Sequence, residues 1–566
     1  MKGLKMKNRS IAKRIFVWIA FMPAMVYAQP GEGLGTEEIT VTREYDPSLS
    51  DVFKIGLRPT VEDTTTDIPV ADYEIPSVQI DLDYSPEAIP AARIARVRKE
   101  ELYKNYLVLG LGNYLTPHFE YSLTNTRSVN YNTGLYFRHH SSSGRIADYA
   151  YSGFQDNDLK LYGERYYRGI TLTGDFYWEH DRVHYYHDLM PTDTDRDSIR
   201  QDMNTIGFNV GLKNPNQPEK NLFEHANLGY YHFFDRYDAR ENHITFDAKL
   251  SKNIGDEMFN LEIGTDYNNL TMPSDTNNVL TFNLRPTIVS NFGKLDFTLG
   301  LGFASVTQLE EQGQTTSFNM FPVVDVTYRI VDQVLIAYAG VDGGVEGTNL
   351  RSLVARNPFI NTDLAFNNRQ GLLQTVEAFK IYAGMKGTLS SKASFNFSAD
   401  YSRFRDHAFF FATPINTVPD SNKIHVVYDN ANVFRLKGEV LYQSTEKLAL
   451  GVSALYNIYS TSILGNAWHI PNSRITLSAK YNLGEKIIVD AQAFIVGARD
   501  VLAADLGDFQ QTLDPFVDIN LGIEYRYSEL LSAYVKVNNL TASQYDLWLG
   551  YRAQRFNIHF GFTYRF

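Results

Sequence analysis

The chain has 566 residues, a formal net charge of −12 at neutral pH, and no cysteine beside 37 tyrosines and 36 phenylalanines. The acidic balance argues against nucleic acid as a partner, because phosphate binding needs a basic surface. An aromatic excess without thiols suits an oxidising compartment.

The first residues read as an address. Lys2, Lys5, Lys7, Arg9, Lys13 and Arg14 precede the apolar run Ile15–Ala28, which ends on small residues at Val26 and Ala28. This pattern predicts an export signal over residues 1–28, cut near Ala28. The alternative is an uncleaved anchor helix, but the run is shorter than the roughly 20 residues a helical span needs, and Pro23 interrupts it. No cysteine follows to carry a lipid. After Ala28 no apolar run approaches a transmembrane helix, so a chain that spans a membrane must do so as a closed barrel.

Residues 29–104 are rich in Pro, Asp and Glu and read as an extended periplasmic segment. From about residue 105 onward the side chains alternate. Leu295, Phe297, Leu299, Leu301 and Phe303 take turns with Asp296, Thr298, Gly300 and Gly302. Ala393–Tyr401 and Val517–Tyr525 repeat the pattern, and the last twelve residues, RFNIHFGFTYRF, set Phe560, Phe562, Tyr564 and Phe566 against His559, Gly561 and Thr563. A period of two is the signature of a strand with one apolar and one polar face. Polar faces carrying Gly, Ser, Asn and both charge signs suit a wet lumen, and the apolar faces suit lipid. On this parity Gly561 is an open lumen position that should accept lysine.

Dividing 105–566 by this rhythm predicts a transmembrane antiparallel β-barrel of about 22 strands, within a range of 16–24. Read back from Phe566, long connections (540–549, 498–513, 462–472, 405–430, 345–369, 306–317, 269–278) take turns with short ones, as external loops and periplasmic turns do. The expected location is the outer membrane, with both ends of the barrel periplasmic and outer-membrane lipid as its surroundings.

The stretch AYVKVNNLTASQYDLWLGYRAQRFNIHFGFTYRF resembles the last two strands of TonB-dependent outer-membrane receptors. Asn538-Asn539-Leu540 ends one strand, Tyr545 follows in the loop, and Gly550-Tyr551 opens the closing strand, which finishes on Phe566 with Tyr564 two before it. The resemblance implies that Tyr564 and Phe566 serve as the signal read by the barrel-insertion machinery; their membership of the apolar face is the plainer alternative. At the other end Glu37-Glu38-Ile39-Thr40-Val41-Thr42 is similar to a TonB box, so Glu38, Ile39, Thr40, Val41 and Thr42 are candidates for strand addition to TonB. The family's globular plug should come next, but too few apolar residues separate Thr42 from the first strand to build one.

Chemistry of other kinds is set aside. Of His180, His184 and His187, the first two would share a face at metal-ligand spacing on a helix; on a strand they are about 13 Å apart by rise per residue and His187 points the other way. No nucleophile elbow, phosphate loop or dinucleotide fingerprint is present, so neither an enzyme nor a cofactor is expected. The expected function is transport, as a pore or partner-gated receptor, with a scaffold or assembly subunit as the alternative. Residues 43–104, loops 345–369 and 405–430, or another protein are the candidates for filling the lumen, and the long loops are candidates for a surface partner.

Overall fold

Alternation at period two sends successive side chains to opposite faces, and a sheet so patterned has one face to hide. The structure, a computed structural model, describes residues 102–566 apart from 126–127, 189, 215–221, 311–312, 366–370, 413–421 and 504–508. The predicted export signal, the segment up to residue 101 and the motif Glu38–Thr42 lie outside the described residues.

The staves in chain order are β1 (Asn105–Gly112), β2 (Thr116–Thr124), β3 (Tyr131–Ser142), β4 (Phe154–Tyr167), β5 (Ile170–His184), β6 (Arg200–Lys213), β7 (Phe223–Asp235) and β8 (Arg240–Ile254). Next come β9 (Glu257–Thr271), β10 (Thr276–Phe292), β11 (Leu295–Glu310), β12 (Gly313–Val331) and β13 (Leu335–Glu346). A short helix, α1 (Leu350–Arg356), precedes β14 (Thr375–Ser390), β15 (Ala393–Ala412), β16 (Ile424–Thr445), β17 (Leu448–Thr461), β18 (Ser473–Leu483) and β19 (Ile487–Val496). A loop hairpin, β20 (Arg499–Ala503) with β21 (Phe509–Leu513), stands before β22 (Phe516–Arg526) and β23 (Leu531–Asn538). A second small hairpin, β24 (Asp546–Trp548) with β25 (Tyr551–Arg552), precedes β26 (Asn557–Arg565). Leaving aside the two loop hairpins, the staves number 22, as the alternation predicts.

Each stave pairs antiparallel with the next, and β26 returns to β1 from Tyr106↔Arg565 to Gly112↔His559. At the seam Asn105 and Phe566 exchange backbone hydrogen bonds of 2.9 and 3.1 Å. An even stave count puts both ends at one rim, where the turns are short. At about 4.8 Å between strands and a tilt of about 40°, 22 staves enclose a cylinder roughly 40–45 Å across.

The two faces are inverted relative to a soluble protein. Phe560, Phe562, Tyr564 and Phe566 are 38–56% exposed, whereas His559 and Thr563 on the opposite face are buried. Large apolar side chains stand bare around the whole outer wall, while Gln201, Glu241, Asp400 and Lys437 are buried on the inside. Such a belt faces lipid, and the barrel is a transmembrane one. Tyr564 sits opposite Leu107 and Leu531, and its ring stacks with Phe566 at 5.4 Å.

The lumen face explains many of the tyrosines and glycines together. A tyrosine ring lies over a glycine of a neighbouring stave in the pairs Tyr162/Gly134, Tyr177/Gly207, Tyr338/Gly384 and Tyr382/Gly340, and Tyr534 of β23 reaches across β26 to Gly110 of β1. Gly561 belongs to this set, which corrects its reading as an open position. A Cβ there would lie 2.1 Å from the Leu109 carbonyl oxygen and 2.7 Å from the Tyr534 ring, so lysine does not fit.

Three connections also differ from expectation. Residues 306–317 and 269–278 are mostly strand, with β9 and β10 joined at 272–275 and β11 and β12 at 311–312. Most of 405–430 extends β15 and β16. Beyond the lipid both faces of a strand are wet, so these extensions carry no apolar face to read. The closing stave begins at Asn557 rather than Gly550, because Tyr551–Arg552 is taken by the small hairpin.

Candidate functional site

The loops at the rim opposite the chain ends fold over the mouth and pack on one another. Their core joins Tyr149, Tyr185, Tyr186, Leu350, Leu353, Phe359, Ile360 and Tyr551, with wall residues such as Phe233, Leu270, Phe410 and Ile424. These side chains come from staves on opposite sides of the barrel, so the cluster spans the mouth.

The brace is built on residues 347–374, between β13 and β14. Asn349 caps α1 by accepting the Ser352 N–H at 2.8 Å, while the Ser352 hydroxyl accepts the Asn349 N–H at 3.1 Å. This reciprocal box starts a helix too short to persist alone. Leu350, Leu353 and Val354 are buried beneath it. The wall supplies the missing charge. Glu241, on the lumen face of β8, accepts the Leu350 and Arg351 N–H groups at 2.7 and 3.1 Å. A carboxylate at a helix start satisfies orphan donors and the positive end of the dipole. Glu241 also accepts the Asn268 amide at 2.8 Å and the Tyr231 hydroxyl at 3.0 Å, so both oxygens are filled. Next to it Arg351 grips Glu179 of β5 with bonds of 2.8 and 2.6 Å and lies over the rings of Tyr177 and Tyr231.

The far end of the brace is tied to the other wall. The Arg356 guanidinium donates to the Ala408 carbonyl of β15 at 3.2 Å. Phe359 and Asn361 exchange backbone bonds of 2.9 and 2.7 Å with Ile424, the first residue of β16. The same stretch is also held to the first wall: the Tyr185 hydroxyl, just past β5, donates to the Ile360 carbonyl at 3.0 Å, and Thr362 donates to Asp235 of β7. At the base Gln374 and Thr348 exchange two bonds of 2.8 and 3.0 Å.

A second layer comes from residues 539–556. The Tyr551 ring stacks on Phe359 at 3.9 Å, Tyr186 meets both edge-on, and the Tyr551 hydroxyl donates to the Asn422 carbonyl. Gly550 has φ +75° and lies against His187, where a Cβ would meet the imidazole at 2.3 Å. The Arg499 guanidinium holds the Leu547 and Asp546 carbonyls at 2.5 and 2.6 Å. His469 is buried between Trp548 and this arginine, and neither ring nitrogen is bonded among the described residues. Burial, aided by the Arg499 charge, pulls its pKa down to about 3.

The histidines of the EHDRVHYYHD stretch are dispersed. His180 meets Asn157 and Asp202, His184 bonds the Gly153 carbonyl at 2.5 Å, and His187 packs edge-on against Tyr551. No group of three or more ligating side chains is gathered among the described residues. Of the residues noted for their resemblance to a family motif, Tyr551 belongs to the loop core and Gly550 packs on His187, while Tyr545 stacks on Phe516 at 3.9 Å. Glu241, Glu179, Arg351 and Phe359 escape the sequence reading. The run Asn349-Leu-Arg-Ser352 carries a cap signal, but the carboxylates look like any lumen residue.

The fold defines the class: a closed transmembrane barrel of 22 antiparallel staves whose wider-looped mouth is cross-braced. No family model and no curated protein matches the chain. Among solved structures it is similar to the FrpB iron transporter of Neisseria meningitidis, with a TM-score of 0.65 and 10% identity over 83% of this chain and 82% of the other. The ferric-catecholate import receptor Fiu of Escherichia coli K12, in its closed form, gives 0.61 and 9% over 82% of each chain. The ferripyoverdine receptor of the Pseudomonas aeruginosa outer membrane gives 0.61 and 12% over 83% of this chain and 73% of that one. At these identities the likeness is one of fold.

Proposed function

We propose that the protein is a plugless, TonB-dependent-receptor-like barrel of the outer membrane. In this reading it acts in transport, as a pore or partner-gated receptor, and its own loops close its outer mouth. The observation that carries this is the brace 347–374, anchored on β5, β7 and β8 at one end and on β15 and β16 at the other. A lumen roughly 40 Å across cannot stand open without leaking, and 22-stranded transport barrels keep theirs filled. Residues 1–28 act as a signal removed near Ala28, and 29–104 as a periplasmic arm. Glu38–Thr42 add to TonB as a strand, and Tyr564 and Phe566 are read by the insertion machinery. These assignments rest on residue pattern and on the resemblance of the closing strand. One observation favours the alternative of a scaffold or assembly subunit: among the described residues the wall beside the loop-rim part of β12 is unpaired.

The test is permeability. Replacing residues 349–372 by a short Gly-Ser linker should make cells sensitive to bulky antibiotics that the outer membrane normally excludes. Unchanged resistance, with normal amounts of assembled barrel, would overturn closure by the loops.

A further inference from the structure

Several staves outrun a neighbour, and a loop then takes the neighbour's place. Above Ala431, β16 has lost β17, but Asp429 accepts the Ile463 and Leu464 N–H groups at 2.7 and 2.9 Å and Ser462 donates to the Asn430 carbonyl at 3.0 Å. At β12 no such cover exists among the described residues. Its pairing with β11 runs from Gly313 to Tyr328, whereas its pairing with β13 begins only at Val324. Phe321 leans on Gly343 of β13, which a Cβ would bring within 2.6 Å of the ring. Beyond it, from Met320 up to Gly313, no described residue bonds the edge that faces away from β11.

The side chains on this edge tell the same story. Met320 sits directly opposite Phe303, so Met320 and Phe318 share the lipid-facing side. Leu299, Leu301 and Phe303, flanked by staves on both sides, are 40–48% exposed. Phe318 is 83% exposed and Met320 66%, because no described stave flanks them on that side. On the other face the buried Asn319 amide nitrogen has no hydrogen-bond partner among the described residues, although Arg405 reaches across to the carbonyl oxygen of the same side chain. A bare strand edge is a row of unpaired donors and acceptors, a ready template for pairing with another chain, and at Phe318 and Met320 it stands next to apolar side chains.

We propose that the edge Gly313–Met320 is a docking site for an extended segment of a second envelope protein, added to the wall as a strand. Strand addition answers the unpaired amides and carbonyls, which an acyl chain cannot. The added segment runs antiparallel to β12, from the turn rim toward the loop rim. It is about eight residues long, with apolar side chains on alternate positions beside Phe318 and Met320. A second copy of this chain is a poor occupant. Held upright in the same membrane, it presents its β12 running in the same direction, so the two edges cannot pair antiparallel. The proposal holds whether or not the barrel conducts.

The test uses the full chain in its own cells. A photo-crosslinking phenylalanine derivative is placed singly at residues 314, 316, 318 and 320, with Leu299 as control. The expected result is adducts with one protein, at residues that step backward along its sequence as the probe steps forward, and none at 299. Phe318→Asp with Met320→Asp should cut the adduct from a probe at 316 at least tenfold. If that pair lowers barrel assembly, Phe318→Ala with Met320→Ala serves instead. Adducts with lipid alone, with a second copy of this chain, or with proteins in no register would overturn the proposal.

Discussion

Removing the Glu241 carboxylate should unlatch the loop brace without touching the lipid face. In Glu241→Ala the Leu350 and Arg351 amides, the Asn268 amide and the Tyr231 hydroxyl all lose their acceptor. A hydrogen bond to a charged group contributes about 1.5–3 kcal/mol, and the four share one acceptor, so their losses do not add. A net loss of about 3–4 kcal/mol from the closed loop follows, because several buried donors are left unsatisfied at once. At 1.4 kcal/mol per factor of ten, the opened population rises roughly 10²–10³-fold. Hydrogen exchange by mass spectrometry on the purified barrel reads this directly, because the amides of α1 exchange only when the loop lifts. Exchange over residues 350–360 should accelerate by about that factor, while the staves β9–β11 keep their protection. Glu241→Gln should resemble the alanine variant, since its NH₂ group faces donors. Less than threefold acceleration in Glu241→Ala would refute Glu241 as the anchor.

Further consequences concern the wall and the loops. Phe560→Asp should lower the yield of heat-modifiable barrel, at a cost on the order of a few kcal/mol near mid-membrane. Gly561→Lys should do so too, by collision with Tyr534 and Leu109, whereas Arg565→Ala should assemble normally; a tolerated Gly561→Lys would contradict the glycine–tyrosine packing. An epitope inserted at Asp193–Asp195 should be labelled on intact cells, and one at Gly255–Asp256 only after the membrane is opened; labelling of both sets would overturn the orientation. His469 is held neutral in the folded cage with its pKa at about 3, against 6.5 when exposed. Acid therefore favours release: stability is complete above pH 6.5 and falls as the pH drops toward 3. Between pH 8 and 5 the loss is about 2 kcal/mol. Exchange of residues 462–472 should speed up accordingly, and His469→Leu should abolish that pH dependence.

The wall was legible because lipid and lumen impose opposite chemistries on adjacent residues. Leu295–Phe303 against Asp296–Gly302 needs no tertiary knowledge to be read as a strand, nor does RFNIHFGFTYRF. Legibility ends where lipid ends. The upper parts of β12, β15 and β16 have both faces wet or covered by loops, so TQLEEQGQTT and the flanks of 413–421 read as loop. The cage was invisible for another reason. Glu179 and Glu241 reach residues 350–351 from more than a hundred residues away in sequence, and nothing local separates these groups from solvated lumen charges. Gly561 shows the limit of parity: its face was read correctly, but the ring of Tyr534 lying over it belongs to a neighbouring stave.

Single-channel recording in a planar bilayer tests closure by the loops most directly. Three chains are compared: the full protein, one lacking residues 29–100, and one with residues 349–372 replaced by a short linker. If the brace is the seal, the first two conduct little and the third shows large, steady openings. Large openings on removal of 29–100, with the linker chain still closed, would contradict it and return the seal to the N-terminal segment.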